Sequence, residues 1–228
     1  MSKYLGPKLK LSRREGCDLS LKSCLRSLES KCKTKNKPGQ HTKRFTARSS
    51  NYNIRFREKQ KLKRLYGMTE GQFVLYVKKA SDLWNKQNGK LEGRRSPPHN
   101  LKTDTSGLLF QLLEKRLDNT IFRMGFGTTR AEARQIVSHK QVLVNGEVVN
   151  IPSFTVKLKD EISIVSKKGP HHRIRRALSI NKGKAVPNWL VVDPIKLLGT
   201  IIDLPQKERD GPPPADIGLV LEFYYKTT

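Results

Sequence analysis

The chain reads as an α+β protein. A mostly helical amino-terminal part with extended basic segments precedes a small α/β module of two helices and a short antiparallel sheet. Three observations predict this class. Apolar residues recur at helical spacing through Phe73, Tyr76, Val77, Ala80, Leu83 and Trp84, and again through Leu108, Leu109, Leu112, Leu113, Leu117, Ile121 and Met124. Asn145-Gly146 sits between β-rich flanks, which favours a type I′ hairpin turn. Residues 1–50 mix Gly, Pro, Ser and Lys with little periodicity.

Taken in order, Gly6-Pro7-Lys8-Leu9-Lys10 and residues 31–39 read as extended basic segments, too polar to order themselves alone. Leu19, Leu21, Leu25 and Leu28 suggest a short helix between them. Residues 53–66 predict a helix stopped by Gly67, and Thr69-Glu70-Gly71-Gln72 has capping-box spacing that opens the next one. Residues 85–105 are polar, include Pro97-Pro98, and are expected as a surface loop that the fold can lose. The apolar positions from Leu108 to Met124 mark an amphipathic helix. Thr129 to Glu132 is a second capping box, opening the helix of Arg130 and Arg134, which lie on one face. Strands are expected beside Asn145-Gly146, around 154–156 and 161–165, and at 189–192 and 219–225. The expected organisation is an extended basic segment over 1–50, a helical domain over 51–115, the α/β module over 116–180, and strands over 181–228 packing back on the helical domain.

The 228 residues carry a formal charge of +26, which repels itself in any compact state and fits a polyanionic partner. Residues 1–66 hold 20 Lys/Arg against 4 Asp/Glu, whereas residues 193–222 hold 3 against 6, so the acidic carboxyl end is expected to pack on protein. No apolar run approaches the roughly 20 residues of a membrane span. No signal-peptide core follows Met1-Ser2-Lys3-Tyr4-Leu5, so neither secretion nor a targeting segment is expected. Cys17, Cys24 and Cys32 are too few and too irregular for a disulfide framework, and miss the paired spacing of structural zinc. Cys17, Cys24, Cys32 and His41 form the one conceivable metal set. Reduced thiols, with no metal and no cofactor, are expected.

A phosphate-neutralising surface needs long cations on fixed backbone, and arginine can bridge two phosphate oxygens. The candidates within the compact module are Arg116, Arg123, Arg130, Arg134, His139 and Lys140; the helix start at Thr129–Arg130 adds unpaired N–H groups. Ahead of it stand Lys8, Lys10, Arg13 and Arg14, then Arg55, Arg57, Lys59, Lys61, Lys63 and Arg64. A DNA-reading helix-turn-helix is the rival for two short helices joined near 125–128. The hairpin that follows and the wide spread of basic segments favour folded RNA. Tyr52, Tyr66 and Trp84 are candidates for stacking on bases, although burial in the core is the commoner place for such aromatics. Catalytic constellations are poor: the histidines are scattered and no phosphate-binding glycine loop is present, so no enzyme is expected. Charge reversal at Arg130 and Arg134 is expected to weaken RNA binding and spare the fold, and Asp118→Ala to leave RNA binding intact.

With these residues in view, the chain resembles the bacterial-type small-subunit ribosomal protein 4 family nearly end to end. The resemblance rests on Tyr4 to Gly16, on Pro38-Gly39-Gln40-His41, on Arg57-Glu58-Lys59-Gln60-Lys61 through Tyr66-Gly67, and on Pro187 to Asp193. Residues 116–164 resemble that family's namesake RNA-binding domain. The resemblance implies an early assembly protein gripping a multi-helix junction in the 5′ domain of small-subunit ribosomal RNA. Its place would be near the channel through which messenger RNA enters, beside small-subunit proteins 3 and 5. It implies a ribosome of the bacterial cytoplasm, or of a mitochondrion or plastid that encodes the protein itself. Zinc-binding members have four amino-terminal cysteines; Leu9 and Ser12 stand where the first two belong. The alternatives are a free RNA-binding translational regulator and a pseudouridine synthase. Arg116-Leu117-Asp118 imitates that enzyme's Gly-Arg-Leu-Asp motif, with Lys115 in place of the glycine.

Overall fold

The structure, a computed structural model, describes residues 4–23, 25–33, 36–39, 50–87, 101–165, 172–207, 209–210 and 215–227. It divides into two compact units. One takes its residues from Met1–Leu21, Arg26–Phe110 and Pro212–Thr228, the other from Lys22–Leu25 and Gln111–Gly211.

In the first unit α1 covers Lys8–Glu15, α2 Leu28–Lys31, α3 Asn51–Leu65 and α4 Glu70–Gln87. Helix α1 occupies part of the segment expected to be extended. Pro7 pre-sets the chain just before it, and Gly16, at φ 69°, donates its N–H to the Ser12 carbonyl at 2.9 Å. The helix suggested by Leu19 to Leu28 is absent from the described residues before Leu28, although Leu19 is fully buried. Ser50 caps α3 by accepting from the Asn53 N–H at 3.2 Å. Gly67 ends it with φ 60°, letting the Met68 N–H reach back to the Lys63 carbonyl at 3.0 Å.

Helix α5, Leu101–Glu114, runs from the first unit into the second, and α9, Ile217–Thr227, packs on α3. Residues 219–225 were expected as a strand and are helical. Val, Leu, Phe and Tyr suit either state, but Ile217, Val220 and Leu221 are buried at i, i+3, i+4, and Asp216 accepts from the Gly218 N–H at 2.8 Å to start the helix. Helices α4 and α5 also narrow the expected 85–105 loop from both ends; residues 88–100 lie outside the described residues.

In the second unit follow α6 Leu117–Arg123, α7 Arg130–Ser138, β1 Val142–Val144, β2 Glu147–Val148, β3 Glu161–Ile164, α8 His172–Asn181, β4 Leu190–Asp193 and β5 Leu198–Ile201. The helix expected from Leu108 to Met124 is therefore two helices. Arg116 is extended at φ −70°, ψ 134° and breaks it. The segment expected as a strand at 154–156 instead covers the break: Val156 donates to the Lys115 carbonyl at 2.9 Å, and Leu117 donates to the Phe154 carbonyl at 2.9 Å. Backbone groups freed by the break are thus paired.

Among the described residues the strands form one antiparallel sheet in the order β2-β1-β3-β5-β4. The β1–β2 turn holds Asn145 at φ 51° and Gly146 at φ 85°, the two positive values a type I′ turn requires. Val142 faces Ile164 across β1 and β3, and Leu190 faces Ile201 across β4 and β5. All four are buried with Leu117, Ile121, Ile136, Val137 and Trp189 in one core. At Gly199 in β5 a Cβ would stand 2.6 Å from the Met124 sulfur, so the strand closes over that side chain as it lies and a larger residue would require the end of Met124 to shift. The strands expected over 181–228 to pack on the helical domain thus pair with the module's own sheet, and it is helix α9 that returns to α3.

Candidate nucleic-acid interface

Two buried carboxylates organise the basic residues of α6 and α7. Glu114, at the end of α5, accepts from Arg123 Nε at 2.8 Å and Nη2 at 3.0 Å, and from Asn119 Nδ2 at 2.8 Å. Asp118 accepts from Arg116 Nη2 at 3.0 Å, and from Arg134 Nε at 2.9 Å and Nη2 at 2.6 Å. Arg130 donates from Nε to Asn119 Oδ1 at 2.8 Å and lies 4.5 Å over the Phe122 ring. Two acids thereby hold three arginines, Arg116, Arg123 and Arg134, while Asn119 and the Phe122 ring hold Arg130, which leaves net positive charge on an ordered frame.

The capping box that opens α7 has a modified form. Thr129 Oγ1 accepts from the Glu132 N–H at 3.2 Å, but the Glu132 carboxylate accepts from the Thr128 N–H at 2.8 Å. Its other oxygen accepts from Arg173 Nε of α8 at 2.8 Å. Burial raises the Glu132 carboxyl, and the hydrogen bonds from Thr128 and Arg173 outweigh it, leaving the group below its usual range. Glu132 stays charged and holds α8 to α7.

The remaining candidates are placed unevenly. His139 and Lys140 are exposed just after α7, and Lys10 and Arg14 are exposed on α1. Arg13 donates from Nε to the Asn36 carbonyl at 3.1 Å, and Lys8 is half-buried. Helix α3, expected to show a dense basic face, pairs much of it with acids. Arg55 pairs with Glu222 at 2.9 Å, Lys63 with Glu70 at 2.9 Å, Lys61 with Glu58, and Arg57 and Arg64 with the buried Glu15 carboxylate. Two candidates turn inward, a correction to their reading as surface cations. Arg116 is buried against Asp118. Lys59 is buried with its ammonium 2.8 Å from Glu70 and 4.5 Å from the Phe223 ring centre. Of the aromatic candidates Tyr52 is exposed, Trp84 half-buried and Tyr66 buried.

Sequence reasoning missed Arg173, Arg175, Arg176, Lys182 and Lys184, all exposed on α8 and just beyond it. A signal was present: between Glu161 and Asp193 stand seven Lys and Arg and no carboxylate. Asp118, which imitates the synthase aspartate, is buried beneath Arg116 and Arg134. Burial pushes the Cys17 thiol up, with Lys61 opposing. Cys24 and His41 lie outside the described residues, among which no His, Cys, Asp and Glu cluster suits a metal. No described helix is long and apolar enough to cross a membrane.

A rigid pair of arginine-bearing helices backed by a small sheet, on a chain of +26, defines a nucleic-acid-binding protein. Comparison with known proteins makes this specific. The S4 domain matches residues 115–162, and the ribosomal protein S4/S9 N-terminal domain matches residues 3–114. The chain is 48% identical over 226 residues to small ribosomal subunit protein uS4A of Psychromonas ingrahamii, covering 99% of this chain and all of that protein. It is 48% identical over 229 residues to small ribosomal subunit protein uS4 of Neisseria meningitidis, again covering 99% of this chain and all of the relative. The chain belongs to the ribosomal protein S4/S9 family, a family of structural ribosomal proteins rather than enzymes.

Proposed function

We propose that this chain is a primary binder of small-subunit ribosomal RNA, gripping a junction in the 5′ domain and nucleating assembly of the subunit. The observation that carries this is the α6–α7 surface, where buried Glu114 and Asp118 hold arginines on fixed backbone before any ligand arrives. Ordering flexible cations opposes binding, so a frame that orders them in advance favours it. Folded RNA is the ligand that shape and phosphate recognition across several surfaces suits best. Family membership supports a position beside small-subunit proteins 3 and 5, near the channel through which messenger RNA enters.

The test is filter binding of transcribed small-subunit ribosomal RNA to the unaltered chain and to the double variant Arg130→Gln and Arg134→Gln. Glutamine removes charge without setting a carboxylate against Asp118. The expected result is weaker binding with an unchanged circular dichroism spectrum, and reconstitution with the variant should delay uptake of later proteins. Equal affinity for both chains would place the RNA on another face.

A further inference from the structure

The S4 domain match ends at residue 162, yet an exposed cationic element follows it in the same compact unit. Helix α8 buries Ile174, Ala177 and Asn181, and leaves Arg173, Arg175 and Arg176 exposed. It is fastened at both ends. Near its start Arg173 donates from Nε to Glu132 at 2.8 Å and from Nη2 to Gln135 Oε1 at 3.0 Å. At its end Asn181 Nδ2 donates to the carbonyls of Gly125 at 3.0 Å and Gly127 at 3.2 Å, in the turn between α6 and α7. Lys184, three residues on, lies 5.1 Å over the Phe122 ring that Arg130 also covers. The helix is therefore locked to the frame that carries the α6–α7 arginines.

The chemistry of its outer face narrows the ligand. Arg175, Arg176 and Lys182 have no ion pair or side-chain hydrogen bond among the described residues. Arg173 uses Nε and Nη2 within the protein and keeps more than half of its side chain exposed. No exposed aromatic or large aliphatic residue accompanies them on α8, so the face lacks the apolar centre of a protein interface. Guanidinium groups carried on a fastened helix, with a carboxylate partner only at Arg173, match a line of phosphates. Arg173 and Arg176, three apart, are neighbours on the helix surface.

We infer that α8 is a second RNA-binding element. In it Arg173, Arg175, Arg176 and Lys182 neutralise backbone phosphates of the small-subunit ribosomal RNA, and Glu132 sets the position of Arg173. This rests on RNA binding by the chain as proposed above and adds a surface outside the S4 domain match.

The experiment titrates salt in filter binding, with full-length transcribed small-subunit ribosomal RNA and three full-length proteins. They are the unaltered chain, the variant Arg175→Gln with Arg176→Gln, and a control of equal charge loss, Lys157→Gln with Lys196→Gln. The α8 variant should bind roughly tenfold more weakly at moderate salt. The slope of log affinity against log salt should become shallower by about 1.4 to 1.8, two contacts at ~0.7 to 0.9 each. The control should keep a slope close to that of the unaltered chain, and all three should give the same circular dichroism and thermal midpoint. Unchanged affinity in the α8 variant, or an equal loss in the control, overturns the inference; the latter means that net charge alone is read. If the Arg130/Arg134 variant binds normally while the α8 variant does not, the α6–α7 reading fails and α8 stands. If the unaltered chain itself shows no salt-dependent binding, both fail.

Discussion

Asp118 receives two arginines, one buried and one half-buried. Truncating it would leave Arg116 charged and buried without its acid, a change that costs about 3–5 kcal/mol. We expect Asp118→Ala to destabilise the second unit by that order, read in urea from the fluorescence of the buried Trp189 in a Trp84→Phe background. Unchanged stability would mean that Arg116 finds another acid. The sequence expectation that this change leaves RNA binding intact is therefore to be read only under conditions where the variant remains folded. The structure also revises the charge reversal at Arg130 and Arg134: a glutamate at 134 would face Asp118, so lost binding and lost folding would be confounded. A second carboxylate yields a pH prediction. Burial raises Glu70, but hydrogen bonds from Lys59, Lys63 and Tyr224 bring it down to about 2. A depressed folded value stabilises above the ordinary value near 4.5 and is lost as pH falls toward about 2. The unaltered chain should therefore exceed Glu70→Gln in thermal midpoint at neutral pH, and the gap should close by about pH 2. A gap independent of pH would assign the effect to packing.

At the scale of elements, the β1–β2 hairpin and the α7 cap are local devices with local consequences. Gly146 at φ 85° occupies a left-handed conformation that costs an L side chain about 1–2 kcal/mol. Gly146→Ala should lower stability by that order. The side chain of Asn145 is tied to β3, accepting from the Glu161 N–H at 2.9 Å, so Asn145→Ala should loosen the same hairpin. Thermal unfolding measures both, and hydrogen exchange localises the loss to β1 and β3. Protection that drops in α7 instead would contradict it. The same scale explains why α8 escaped notice in the sequence. Its cations are visible there, but only the bonds from Arg173 and Asn181 show that it is held to α6 and α7.

For the whole molecule the governing quantity is charge. With ~6 or more phosphate contacts, log affinity against log salt should fall with a slope steeper than about −4. A filter-binding titration measures it, and a slope near zero would remove the charge argument. The α3 pairs lower the number of free cations below what composition suggests. Under the proposed function, the cations left to meet RNA phosphates are those of α1, of the α6–α7 frame with His139 and Lys140, and of α8 as inferred above.

Short-range rules made much of this protein legible. The Thr129 cap, the Asn145-Gly146 turn, the stop at Gly67 and the apolar stripe of α4 depend on neighbours within a few residues, so they can be read from order alone. The basic character of the chain and its fit to a polyanionic partner follow from composition and need no fold. Tertiary structure decided which cations remain available, because several of their neutralising acids are distant in sequence. Glu15 lies 42 residues from Arg57, and Glu222 lies 167 from Arg55. It decided that residues 219–225 form a helix, since the apolar surface of α3 accepts a helical face and composition suits both states. It decided the break at Arg116 as well, because the segment that pairs the freed backbone comes from Phe154 and Val156, far along the chain. Local order specifies elements; the burial of charge is settled only when distant elements meet.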